Sequence, residues 1–200
     1  MRGFVASALL ALVAAPASSQ TYEQQLSRCT KGDTPEQRIL GCSAVIAANR
    51  EPPDTMATVY YTRGLMQRRV GHNDAALNDY NISLKLAPTP EVYNSRCYLF
   101  AITNRLQDAL KDCNEALRLN PSNQYAYDSR GFAYLKLGMF DASIADYSAA
   151  LQLEPNRPYS LAGRGFARRH KGDAGGDADL AAARAQVPGI VEEFARYGVK

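Results

Sequence analysis

The chain has 200 residues, of which 46% are hydrophobic and 22% are charged, and this composition is typical of a folded protein rather than a disordered one. Lysine and arginine number 23 against 20 aspartate and glutamate residues, which gives a net charge of +3. A nucleic-acid surface needs an excess of positive charge or clustered basic residues. This excess is small, and the basic residues form only one local cluster, at 164–171. The sequence therefore predicts no nucleic-acid surface.

Residues 1–19 have the pattern of a secretory signal peptide. A basic start at 1–3 precedes an apolar run at 4–15, which is too short to span a bilayer comfortably. Small residues at 15–17 or 17–19 then match a signal-peptidase site. We therefore predict that residues 1–19 are removed and that the mature protein is exported, to the periplasm or the medium in a bacterium. No later segment is apolar for long enough to span a membrane.

An amino-terminal cap is predicted over 20–53. Residues 34–49 have helical spacing, and Thr34 as N-cap, Pro35 at the first helical position and Glu36 in the first turn mark where that helix begins. The segment aligns with the second helix of the units described next. We therefore expect a partial repeat, a second helix without a well-formed first one.

One sequence unit recurs after the cap. The segments at 74–80, 107–113 and 141–147 read DAALNDY, QDALKDC and DASIADY. Within each unit, apolar residues recur at helical spacing, and Gly, Asn or Asp separates two segments of helical length. Each unit is therefore predicted to be a helical hairpin. A proline follows each unit, and successive prolines are 33, 34 and 33 residues apart: Pro88, Pro121, Pro155 and Pro188.

These units resemble the tetratricopeptide-repeat family over 55–188, and the signal peptide and paired cysteines resemble exported proteins of bacterial type. The third unit matches best, with YDSRGFAYLKLG at 127–138. The resemblance implies an all-α fold, a right-handed α-solenoid of helix-turn-helix repeats with an N-terminal capping helix and a C-terminal capping helix. It places four repeats within 54–188, at about 57–89, 90–123, 124–157 and 158–188, and the carboxy-terminal cap at 189–200.

Four cysteines in an exported chain predict two disulfides, although the count alone allows three connectivities. Cys29 and Cys42 flank a short turn at 31–35, so a bond between them would pin the cap to its helix and contribute about 3 kcal/mol. Cys97 and Cys113 replace the Gly and Tyr of two facing family positions, and the resemblance implies that they too are bridged. The alternative is that they are two small buried apolar residues.

An arginine and an aspartate also recur in every unit. Because both signs repeat together, we interpret them as a structural pair rather than an anion site, and such pairs contribute modestly unless they are partly buried. The arginines precede the small residue of the first helix, and the aspartates lie in the second helix: Arg63, Arg96, Arg130 and Arg164 with Asp79, Asp112, Asp146 and Asp179.

The family resemblance also implies that the first helices line a concave face. An aromatic row, Tyr98, Phe132 and Phe166, beside basic residues would hold an extended or helical peptide that carries acidic groups. Ordinary packing between first helices is the alternative. The Lys/Asn/Arg clamp that members of this family use for chaperone carboxy termini does not occur in this sequence. The predicted peptide-binding groove consists of Tyr61, Leu65, Arg68, Asn94, Tyr98, Asp128, Phe132, Phe166 and Arg169.

The sequence contains no motif of a common catalytic site. It has no Gly-rich phosphate loop, no Gly-x-Ser-x-Gly, no His-Glu-x-x-His and only two histidines. We predict a non-catalytic scaffold in the periplasm or extracellular space that binds a protein or peptide, with no cofactor, metal or nucleic acid. The alternative is a small-molecule or glycan-binding protein, or an accessory subunit of a cell-envelope enzyme, that uses the same groove. A third is an enzyme with an unrecognised site.

Overall fold

The computed structural model describes residues 20–199, and these residues form helices and turns without a strand. The predicted signal peptide, 1–19, lies outside the described residues. Within 20–199, no helix is both long and apolar enough to cross a membrane. The helices in chain order are α1 (Tyr22–Lys31), α2 (Pro35–Ala48), α3 (Pro53–Arg69), α4 (Asn73–Leu86), α5 (Pro90–Ile102), α6 (Leu106–Leu119), α7 (Gln124–Lys136), α8 (Phe140–Leu153), α9 (Pro158–His170), α10 (Gly175–Gln186) and α11 (Ile190–Arg196).

Helices α3 to α10 form four consecutive hairpins, α3 with α4, α5 with α6, α7 with α8 and α9 with α10. The second helix of each hairpin also packs against the first helix of the next, and α3, α5, α7 and α9 contact one another in turn. This stacking buries apolar side chains between successive layers, as repeat proteins require. The predicted all-α solenoid of helix-turn-helix units is confirmed.

Each hairpin turns at the same place. One residue within the turn has a positive φ in all four units, between 64° and 82°. Glycine and asparagine are the residue types that adopt this conformation at least cost. The two helices can therefore reverse direction within about three residues. The turn residues are Gly71, Asn104, Gly138 and Gly172.

The helices of a hairpin approach closely where the first helix has glycine and the second has tyrosine. A Cβ on Gly64 would lie 2.8 Å from the Tyr80 ring, and one on Gly131 would lie 3.2 Å from that of Tyr147. The second hairpin has cysteine at both positions, and a disulfide joins them with a Cα to Cα distance of 5.4 Å. This disulfide therefore occupies the place where the first and third hairpins pack a ring on glycine and the fourth packs Leu180 on Gly165.

The amino-terminal cap differs from the expected partial repeat, because a first helix, α1, precedes α2. A capping box begins α1, in which the Thr21 side chain accepts from the Gln24 amide and the Gln24 side chain accepts from the Thr21 amide at 2.8 Å. The predicted disulfide between Cys29 and Cys42 joins the two helices, with a Cα to Cα distance of 4.5 Å. The cap is thus a complete hairpin held by a covalent bond.

The recurring arginine and aspartate form a two-pronged ion pair in each of the four repeat hairpins, α3 to α10. Donor to acceptor distances lie between 2.6 and 2.8 Å, and the aspartate side chains are only 1% to 9% exposed. In the first three hairpins the arginine also donates to a side chain of the preceding second helix. These acceptors are Ser43, Asn81 and Asn114. The pair therefore joins neighbouring hairpins, which supports its interpretation as structural.

Candidate functional site

A cavity of about 340 Å³ opens among the first helices, with α11 as one wall. This volume lies at the lower end of the range for ligand sites, which are typically apolar pockets with a few placed polar groups. Half of the lining residues are aromatic, and three of the polar ones are Arg68, Asp128 and Arg157. The complete lining is Arg68, Asn94, Ser95, Tyr98, Tyr125, Asp128, Ser129, Phe132, Tyr147, Arg157, Tyr159, Glu193, Phe194 and Tyr197.

Arg68, at the end of α3, forms no ion pair with any residue of 20–199. Its guanidinium carbon lies 5.1 Å from the centroid of the Tyr98 ring, which orients the group by a cation–π contact. Its Nε is buried and has no hydrogen-bond partner in the described part of the chain, and the same holds for Asn94 Oδ1. Because guanidinium binds carboxylates with two parallel hydrogen bonds, Arg68 offers a place for an acidic group.

Asp128 and Arg157 form a closed pair on another side of the cavity. Arg157 Nε donates to Asp128 Oδ2 at 2.5 Å, and Ser160 donates its hydroxyl to the other carboxylate oxygen. Burial raises the pKa of the Asp128 carboxyl, against the opposing effect of these two donors. Arg157 also donates to Glu154 and lies 4.3 Å from the Tyr125 ring centroid. The charge of Arg157 is therefore already compensated, unlike that of Arg68.

Helix α11 supplies an aromatic wall. The Phe194 ring stacks on Phe166, with centroids 5.3 Å apart, and meets the Phe132 ring edge-on at 5.7 Å. Tyr197 meets Phe132 edge-on at 6.0 Å. The Tyr159 hydroxyl donates to Glu193 Oε2 at 2.9 Å. Burial, and the nearby Tyr197, raise the pKa of the Tyr98 hydroxyl. The aromatic row predicted from the sequence is thus in contact with the end of the chain.

Five of the nine predicted groove residues line this cavity. They come from three successive first helices, α3, α5 and α7, which the stacking brings side by side. Phe132 is only 6% exposed, so little more than its edge reaches the open space. The five are Arg68, Asn94, Tyr98, Asp128 and Phe132.

The other four predicted residues are not part of the lining. Arg169 is exposed and lies 3.4 Å from Asp177, between α9 and α10. Phe166 is 4% exposed beneath Phe194. The last two, Tyr61 and Leu65, pack on buried residues of α4 and α5.

Sequence reasoning missed the residues that lie outside the repeat pattern. Arg157 comes from the turn that precedes α9, and no motif marks it. Tyr197 follows Phe194 by three residues, which places both on one face of a helix. That spacing was the one available signal that the last helix has a continuous aromatic face.

Comparison with known proteins identifies the family. The sequence model of the family described as tetratricopeptide repeat matches residues 124–157. Tetratricopeptide repeat protein 6 from Homo sapiens is 31% identical over 86 residues, which are 43% of this chain and 16% of that protein. The chain therefore matches a small part of this curated relative.

Solved structures show the same fold. MamA from Desulfovibrio magneticus RS-1 superposes with a TM-score of 0.67 at 18% identity, and the match covers 86% of this chain and 94% of that one. The first TPR of Spaghetti (RPAP3), bound to the HSP90 peptide SRMEEVD, gives 0.57 at 26% identity, over 60% and 95% of the two chains. The repeats, the stacked hairpins and these likenesses agree: the chain is a tetratricopeptide-repeat protein.

Proposed function

We propose that this protein is a non-catalytic scaffold outside the cytoplasm that binds a partner protein through a peptide segment in the concave cavity. The observation that carries the proposal is Arg68, a cation that has no ion pair with any described residue and that faces a cavity with aromatic walls. Binding sites for peptides combine such apolar anchors with a few charged groups that fix register. A peptide with an acidic group for Arg68 and an apolar side chain for the Tyr98 and Phe132 rings would satisfy both features.

The likeness to a peptide-bound repeat domain supports this proposal. The Spaghetti domain was solved with a peptide that contains three acidic residues, and it shares 26% identity with 60% of this chain. The cavity here contains Arg68, Asn94 and the Arg157–Asp128 pair in place of the clamp used for chaperone carboxy termini. We therefore propose an acidic peptide as ligand and a partner other than a chaperone.

The disulfides support a location outside the cytoplasm. Both bonds join neighbouring helices of the folded chain, and bonds of this kind persist in oxidising compartments such as the periplasm. The predicted signal peptide at 1–19 agrees with export.

A peptide-display library selected on residues 20–200, with both disulfides intact, tests the proposal. We expect the enriched peptides to carry a carboxylate, and calorimetry to show binding that Arg68→Gln weakens by about tenfold to a hundredfold, the range for a lost hydrogen bond between charged groups. Arg69→Gln is the matched control, because Arg69 is the next residue, is exposed and lies outside the cavity. Its affinity should equal that of the wild type.

Two results would contradict peptide binding at this cavity. Equal affinities of the Arg68→Gln and Arg69→Gln variants would place the peptide elsewhere. Failure to enrich any peptide, together with a small molecule or sugar retained in native mass spectra, would favour the alternative of a small-ligand site. The cavity volume of about 340 Å³ supports that alternative, because it would hold a single small ligand.

A further inference from the structure

Helix α11 lies where a peptide ligand of the concave face would lie. It packs against α9 and α10, and its Phe194 contacts one aromatic ring each from α7 and α9, the first helices of the third and fourth repeats. Phe194 is 6% exposed and Val199 is 4% exposed, so the contact is closed to solvent. The end of the chain therefore fills part of the surface that the repeats present to partners.

The contacts of α11 are those of a docked amphipathic helix. Phe194 and Tyr197 are the anchors and both pack on Phe132. Glu193, directly before the first anchor, accepts from Tyr159 at the rim. Anchors three or four residues apart on one helix face are the general mode by which a helix binds in a groove.

Helix α11 is short and follows a short link, and its contacts with the core are made by the buried side chains of Ile190 and Phe194. Three residues, 187–189, separate it from α10, and a Cβ added at Gly189 would meet no atom within 4 Å in the described part of the chain. The helix is seven residues long and its first turn has no side-chain cap. A helix this short has little stability of its own, because the cost of nucleation is spread over few hydrogen bonds. Its position therefore depends on the groove.

We propose that α11 is an intramolecular ligand of the groove, and that the partner is a helix with the same pattern: a carboxylate followed at once by an aromatic residue, with a second aromatic residue three positions later. Such a partner binds by displacing α11. This inference rests on the proposed function, since α11 and the partner share one surface. Beyond the proposed function, it specifies the side chains of the partner and explains why the groove is partly closed when no partner is bound.

The affinity of the groove for an added helix should depend on how often α11 occupies it. A site that is open for only a fraction of the time binds with its intrinsic affinity multiplied by that fraction. If α11 is seated about 90% of the time or more, weakening its anchors should strengthen binding of an added helix by about tenfold or more. The added helix must compete for the contacts with Phe132 and Phe166.

The test uses a labelled peptide of residues 189–199 and the full mature chain. We expect the Phe194→Ala, Tyr197→Ala double variant to bind this peptide about tenfold more tightly than the wild type, measured by fluorescence anisotropy. The matched control is the Glu192→Ala, Arg196→Ala double variant, because both residues are exposed on the same helix. It should bind as the wild type does. A peptide with alanine at 194 and 197 should bind to none of them.

Equal binding by the wild type and the Phe194/Tyr197 variant, or no binding of the 189–199 peptide to either, would overturn the inference. If library peptides still bound in an Arg68-dependent way, the proposed function would stand without it.

A second variant keeps the test decisive should the first one unfold. The chain contains no tryptophan, so Tyr197→Trp places a single reporter on α11. Its emission should shift to longer wavelength when saturating 189–199 peptide displaces the helix into water. Unchanged emission at saturation would show that α11 stays in place, and would refute displacement.

Discussion

The repeated ion pairs and the concave cavity contain the same residue types but follow different rules. In the pairs, an arginine and an aspartate occupy equivalent positions in all four hairpins and bond to each other each time. In the cavity, equivalent positions differ from one repeat to the next. The position of Asp128 holds Tyr61, Asn94 and Ala162 in the other repeats, and that of Arg68 holds Ala101, Leu135 and Arg169.

This difference separates scaffold from site within a single chain. A residue that recurs in every repeat serves the geometry that every repeat shares, because each unit must pack on its neighbour in the same way. A residue type that does not recur at the equivalent position of every repeat is not required by this shared packing. The position of Arg68 holds an arginine in only one other repeat, where Arg169 lies 3.4 Å from Asp177. Because Arg68 forms no ion pair within residues 20–199, a ligand explains it better than the fold does.

The largest expected effect comes from breaking a repeated pair. Asp146→Ala would leave the Arg130 guanidinium, about one fifth exposed, without its carboxylate. Removing one partner of a buried pair costs about 3 to 5 kcal/mol of unfolding free energy, since the other charge stays buried. Urea unfolding measures this loss.

The control for Asp146→Ala is Asp108→Ala, which breaks the exposed pair with Arg105, where the side chains are 40% and 50% exposed. A surface pair contributes less than about 1 kcal/mol. Equal losses in the two variants would show that the recurring pairs do not stabilise the stack.

The second effect concerns the second hairpin, which has a disulfide where the first and third hairpins pack a tyrosine on glycine. The Cys97→Ala, Cys113→Ala variant should lose about 3 kcal/mol, because the disulfide closes a loop of 16 residues in the unfolded chain. The Cys97→Gly, Cys113→Tyr variant should lose less, since a ring can then pack on glycine as in the first and third hairpins.

Thermal or urea unfolding of both cysteine variants would compare them directly. If the glycine and tyrosine variant were the less stable of the two, the disulfide would not stand in for the ring contact, and the second hairpin would follow a packing of its own.

The sequence was sufficient for the features that repeat and insufficient for those that occur once. The prolines, the turn residues and the Arg–Asp pairs recur at fixed spacing, so each occurrence supported the others. Helix α1 occurs once and was not expected, although Thr21 and Gln24 have capping-box spacing. For the same reason, only five of the nine residues predicted for the groove line the cavity. Arg157 and Tyr197 come from a turn and from the chain end, whose paths depend on tertiary packing rather than on the repeat.

The smallest expected effect on the unfolding free energy appears only at alkaline pH. It tests Tyr80, a tyrosine that packs within a repeat and does not line the cavity. Tyr80 packs on Gly64 and is fully buried, and burial raises the pKa of its hydroxyl to about 12 from an ordinary 10.0. Below pH 10 both folded and unfolded chains keep this proton. Between pH 10 and 12 the unfolded chain loses it while the folded chain holds it, so stability falls as pH rises. Tyr80→Phe keeps the ring and should remove about 2 kcal/mol of that alkaline loss.

Unfolding free energies of the wild type and Tyr80→Phe from pH 8 to 12 would measure the difference, with Tyr125→Phe, at a half-exposed position of the cavity, as the control for loss of a tyrosine. Parallel curves for the wild type and Tyr80→Phe would mean that the hydroxyl reaches water in the folded protein. A repeated scaffold position would then tolerate ionisation, and burial at equivalent positions would no longer distinguish the scaffold from the cavity.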